Sequence, residues 1–137
     1  MPLRVSVIMP VERIGGDAER AIESVLRQAA PFDFELIVVS AEALALQSDD
    51  RIRNVVEPNR NPATRRNRAV SEARGEILAF IDDDARADPQ WLATACAYLD
   101  QNKHVLAIGA RRIASVPTAR NALTFDVSER RSPVFTR

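Results

Sequence analysis

Two rhythms of apolar and polar residues alternate along the 137-residue chain: short unbroken apolar runs, and longer stretches where apolar residues return every three or four positions. Residues 3–9 (LRVSVIM) are a β-branched apolar run closed by Pro10, which predicts a strand buried on both faces. After the Gly15, Gly16 break, Asp17 is placed to cap a helix whose Ala18, Ala21, Ile22, Val25, Leu26 and Ala29 keep the helical spacing. Residues 34–40 (FELIVVS) and 52–57 (IRNVVE) predict a second and a third strand. Asn61 followed by Pro62 predicts a helix start, because Asn accepts orphan backbone donors and Pro tolerates the first helical position, and Gly75 predicts its stop. Residues 76–81 (EILAFI) read as a fourth strand. Asp88 and Pro89 then open a helix carrying Trp91, Leu92, Ala95, Cys96 and Leu99 inward, and 105–109 (VLAIG) read as a fifth strand.

Strands alternating with helices imply right-handed crossovers and an α/β fold, an open and mostly parallel sheet with helices on both faces. Ligands of such sheets bind beyond the C-terminal ends of the strands. The length suits one domain over 1–137, clear through 109 and weakly patterned over 110–137. At 46% hydrophobic residues the chain can bury a sizeable core. No apolar run approaches the roughly 20 residues of a membrane span, and no secretory pattern opens the chain, so a soluble, cytoplasmic protein is expected. Cys96 is expected in helix core.

Charge is balanced at 19 basic and 19 acidic residues, so no global field argues for nucleic acid or an acidic membrane. Locally, 60–68 holds four arginines and no acid, and 110–137 holds six arginines against Asp126 and Glu129. Both stretches suit anions, although arginine is used nearly everywhere in place of lysine, which makes a compositional habit an equal explanation for the second.

Asp82, Asp83 and Asp84 follow directly on the fourth strand, at the sheet edge where ligands bind. Three crowded carboxylates repel one another. A divalent cation with a taste for hard oxygen ligands, Mg2+ or Mn2+, would relieve that repulsion and could bridge a diphosphate. The alternative, an Asp-rich turn capping the next helix, is weakened because Asp88 already stands at that cap. Helical spacing places Arg66 on the face of Ala69, Val70 and Ala73, toward the sheet, with Arg65 and Arg68 turned to solvent. Arg66 then reaches either a phosphate or base carbonyl through its planar fork, or one of the three aspartates as a salt bridge.

The stretch 66–92 (RNRAVSEARGEILAFIDDDARADPQWL), together with the opening VSVIMPV, resembles the family 2 glycosyltransferases. The match joins an Arg-Asn pair, an Ala-x-Gly-Glu turn, an apolar strand and the aspartate triplet in that family's order and spacing. The resemblance implies a GT-A, Rossmann-like fold that binds a nucleoside diphosphate sugar and a divalent metal and transfers the sugar to an acceptor hydroxyl with inversion. It makes Asp82 and Asp84 the ends of a DxD-like motif, with both as metal ligands and Asp84 foremost. Asp82 and Asp83 then lie near ribose and diphosphate, Arg66 and Asn67 beside the nucleotide, and Pro10, Val11 and Glu12 along the base pocket. The chain departs from the family pattern at Ser40 and Ala41, where an acid usually follows the second strand, at Glu12 and Arg13, and at Ala69.

No general base is assigned, since only Asp126 and Glu129 remain beyond 109. A haloacid-dehalogenase phosphatase would need Thr or Val where Arg86 stands, and a receiver domain would need acids after the first strand, where Met9 and Pro10 stand. The rival expectation is a non-catalytic glycosyltransferase-like module that binds nucleotide or a partner chain. The acceptor and any assembly, with itself or a partner subunit, are left open.

Overall fold

The computed structural model describes residues 2–112 and 123–126, with side chains through Gly109. Four parallel strands form one sheet: β1 (Val5–Pro10), β2 (Phe34–Ser40), β3 (Ile52–Val56) and β4 (Ile77–Phe80), in the order β3-β2-β1-β4. Helices α1 (Gly16–Leu26), α2 (Pro62–Glu72) and α3 (Trp91–Gln101) alternate with them. Successive strands step outward from β1 to β2 to β3, then the chain returns past β1 to β4. With right-handed crossovers, that reversal puts α1 and α2 on opposite faces of the sheet.

The alternation of side chains builds a core on each face. Val5, Val7 and Met9 of β1 join Leu36 and Val38 of β2, the α1 stripe, and Trp91, Leu92 and Cys96 of α3. Ile8, Ile37, Val39 and Val55 point the other way, onto Ala69 of α2. β1 and β2 are therefore apolar on both sides, and each buried Val or Ile contributes roughly 1.5–3 kcal/mol of transfer free energy.

Several boundaries differ from the sequence expectations. Gly15, not Asp17, occupies the N-cap of α1 and supplies no side-chain bond, while Asp17 sits in the first turn. Asp88 accepts from the Gln90 N–H at 2.8 Å, one residue ahead of α3, whose N-cap is Gln90. α2 opens as expected, with Asn61 accepting from the Ala63 and Thr64 N–H groups. It ends before Gly75, whose service is different: a Cβ there would lie 2.5 Å from the Ser6 nitrogen, so only glycine lets this turn pass so close to β1.

The run 105–108 is not a strand. β5 (Gly109–Arg112) begins at its end and pairs antiparallel with β6 (Leu123–Asp126), apart from the parallel sheet. Glu129 lies outside the described residues, and the side chains of Asp126 and of the arginines in 110–137 lie outside the description as well.

Candidate functional site

β1 is the point of reversal in the strand order, and the chain leaves its C-terminal end for α1 on one face while β4 arrives from α2 on the other. A crevice is expected between the ends of β1 and β4. Pairing continues past the end of β4, the Ile81 N–H donating to the Ile8 carbonyl at 3.1 Å, and so sets Pro10, Val11 and Glu12 beside Asp82, Asp83 and Asp84. One hydrogen bond spans the two segments: the Glu12 N–H donates to Asp83 Oδ2 at 3.4 Å.

The segment after β4 is anchored from α1 and its C-terminal end. Ser24 Oγ accepts from the Ala87 N–H at 3.0 Å. The Gln28 amide donates to the Asp88 carbonyl at 2.7 Å and accepts from the Leu92 N–H at 3.0 Å. Ile81 and Ala87 are buried on either side of the triplet. The three aspartates thus sit on a short tether fixed at both ends.

Within the triplet the environments differ. Asp82 and Asp84 are exposed and Asp83 is half-buried. Burial pushes the Asp83 carboxyl above its ordinary value, the Glu12 N–H pulls it down, and the charges of Asp84 and Asp82 push it up again. Crowded negative charge in a partly desolvated place is the electrostatic signature of a cation or anion-handling site. Among the described residues no three acidic, His or Cys side chains converge as a ready-made metal cage. Hard oxygen donors nevertheless suit Mg2+ or Mn2+, and Mg2+ is commonly held by one or two carboxylates together with substrate phosphates. The donor set fits that mode of binding.

Arg66 lies on α2 facing the triplet, with Nη2 3.2 Å from Asp82 Oδ1. Both side chains are substantially exposed, so the pair contributes at most about 1 kcal/mol and can be exchanged for another partner. Asn67 is exposed beside it. Val11 is buried in the core, its N–H already donating to the Val39 carbonyl at 2.8 Å, so its side chain cannot line a pocket. Pro10 is half-buried and Glu12 exposed at the crevice.

Arg65 differs most from expectation. It is 3% exposed, not solvated, because it stands one helical turn before the buried Ala69. Its Nε donates to the Asn59 carbonyl at 3.1 Å and its Nη1 lies 3.4 Å from Glu12 Oε2. The spacing of four to Ala69 is the signal that would have found it. At the usual position of an acid beyond β2, the Ser40 hydroxyl donates to the Glu42 carbonyl at 2.6 Å and accepts from the Asn54 amide, while Glu42 is exposed. No acid is fixed there.

The model of glycosyl transferase family 2 matches residues 6–136. A glucosyl-dolichyl phosphate glucuronosyltransferase of Haloferax volcanii is 29% identical, over 78% of this chain and 37% of its own. Among solved structures, the mannosyltransferase PcManGT of Pyrobaculum calidifontis, in complex with GDP-Man and Mn2+, superposes with a TM-score of 0.62 at 25% identity. The match covers 85% of this chain and 38% of that one. S. aureus TarS 1–349 in complex with UDP-GlcNAc gives 0.56 at 22% identity, covering 74% and 32%. The chain spans less than two fifths of the length of each of these, and 13% and 18% of two longer curated relatives. No described helix is long and apolar enough to cross a membrane. A GT-A sheet with an aspartate triplet at its point of reversal, and a family match over nearly the whole length, place this chain in glycosyl transferase family 2.

Proposed function

We propose that the chain forms the nucleotide-sugar-binding part of a glycosyltransferase that moves a sugar from a nucleoside diphosphate sugar to an acceptor hydroxyl, with inversion and with a divalent cation at the triplet. The observation that carries this reading is the placement of Asp82, Asp83 and Asp84 at the reversal of the strand order, bonded to the end of β1 through Glu12. The neighbours that hold UDP-GlcNAc, or GDP-Man with Mn2+, support it by fold.

Asp84, exposed and with no hydrogen-bond or ion-pair partner among the described residues, and Asp82, held only by an exchangeable pair, would hold Mn2+ or Mg2+. When bound, the cation supplies neutralising charge to the diphosphate. Arg66, released from Asp82, turns its planar fork to the phosphates, where a charge-assisted bidentate contact is stronger than its present one. Asn67 lies beside the nucleotide, Asp83 borders the ribose and diphosphate, and Pro10, the Val11 backbone and Glu12 border the base.

Thermal unfolding tests this. A nucleoside diphosphate at about a hundredfold excess over its Kd should raise the Tm by on the order of 10 °C when Mn2+ or Mg2+ is present, and not in EDTA. Asp84→Ala should lose that rise while keeping the wild-type Tm in EDTA, since the side chain is exposed. A rise indifferent to metal, or an Asp84→Ala protein that no longer folds, would contradict the assignment.

A further inference from the structure

Two charged side chains are buried among the described residues, and they are satisfied differently. Glu35 accepts from the Ser6 hydroxyl, the Arg74 N–H and the Arg53 guanidinium. Arg65 has its Nε on the Asn59 carbonyl and Nη1 at a loose 3.4 Å from Glu12, and its Nη2 is the one buried side-chain nitrogen or oxygen without a partner among the described residues. Native proteins seldom leave such a donor unmet, and each exception calls for a cause such as a functional role or a bound ion or water.

Nη1 and Nη2 share one carbon, so the unmet donor lies beside the one that meets Glu12. Arg65 is the fixed half of this couple, rooted in α2 and tied to Asn59. Glu12 is the adaptable half: its side chain is 60% exposed, and its carboxylate has no other partner among the described residues. It can turn toward a ligand without disturbing the core. The couple therefore holds, at the end of β1, an unmet and itself buried guanidinium nitrogen next to a carboxylate that accepts two hydrogen bonds.

We infer that Arg65 and Glu12 read the base of the nucleotide, and that the base they fit is guanine. This rests on the nucleoside diphosphate reading above. The Watson–Crick edge of guanine presents one acceptor, O6, followed by two donors, N1–H and the exocyclic amine. Nη2 donates to O6, and the Glu12 carboxylate accepts from both donors. Uracil presents acceptor, donor, acceptor, so its second carbonyl would face a carboxylate oxygen. Cytosine presents one donor and two acceptors and so leaves half the carboxylate unused. Adenine has a single donor beside a single acceptor and leaves half the carboxylate unused. Discrimination among bases by such paired contacts amounts to roughly tenfold or more.

Calorimetric titration of the wild-type chain in Mn2+ with GDP, UDP, CDP and ADP tests the inference. GDP should bind about tenfold more tightly than any of the other three. Glu12→Gln, a change at an exposed side chain, should remove most of that advantage. Equal affinities, a preference for another base, or a GDP preference that survives Glu12→Gln would overturn the guanine assignment while leaving nucleotide binding standing. Failure of all four to bind would overturn both.

Discussion

Glu35 and Arg65 lie toward opposite ends of the sheet face covered by α2, and their surroundings explain why one serves the fold and the other the crevice. Glu35 closes a network near the N-terminal ends of the strands: Ser6 is its neighbour in register on β1, Arg53 reaches it from β3 at 3.0 Å, and Arg74 donates its N–H from the turn after α2. Burial alone would push the Glu35 carboxyl up, yet the bonds from Ser6, Arg74 and Arg53 together bring it below its ordinary value of 4.5. A depressed carboxylate contributes stability that is fully present above its unfolded value and is lost as pH falls through the folded one. Glu35→Gln should therefore be less stable than wild type at pH 7, by about 2–3 kcal/mol because Arg53 loses its buried partner. The difference should shrink progressively below pH 4.5. Urea unfolding of both proteins across pH 3–7 measures it, and a difference that stays constant with pH would contradict this role.

Elements whose cause is local were legible in the sequence. β2 runs over the predicted 34–40, because seven consecutive residues are buried and the run carries its own limits. The Asn61 cap of α2 was legible for the same reason, its two backbone donors lying two and three residues away. Features with a distant cause were not. The run 105–108 has an apolar composition, yet Leu106 is 74% exposed and no strand forms there, since composition does not reveal whether a neighbouring strand is present. Arg65 falls on the solvent side when helical phase is set by Arg66 with Ala69, Val70 and Ala73, and its partner is 53 positions away at Glu12. The triplet's position was readable, but not its bond to the Glu12 N–H, which depends on β1 and β4 being neighbours.

Gly75 belongs to this scale too, because its need arises where two elements touch. A Cβ there would sit 2.5 Å from the Ser6 nitrogen and 2.6 Å from the Val5 carbonyl carbon, both backbone and unable to step aside cheaply. Gly75→Ala should destabilise the fold by about 3 kcal/mol, read as a lower urea midpoint. An unchanged midpoint would mean that the turn between α2 and β4 shifts freely.

Charged side chains gather at both ends of the parallel sheet. At the N-terminal ends of the strands, a cavity of about 340 Å³ is bordered by Glu35, Arg51, Arg53 and Arg74, several of them engaged with protein partners: Arg51 with Asp49, Arg53 with Glu35 and Glu72. At the other end lie the exposed acids Asp82 and Asp84 and the unmet nitrogen of Arg65. The reversal of the strand order places ligands at this second end. Diffraction from crystals grown with Mn2+ and GDP, recorded for the anomalous signal of manganese, tests this most directly. The ion should lie about 2.1 Å from a carboxylate oxygen of Asp84 or Asp82, with the diphosphate beside it and the base near Glu12. Manganese at the opposite end of the sheet, or a nucleotide bound away from β1 and β4, would contradict it.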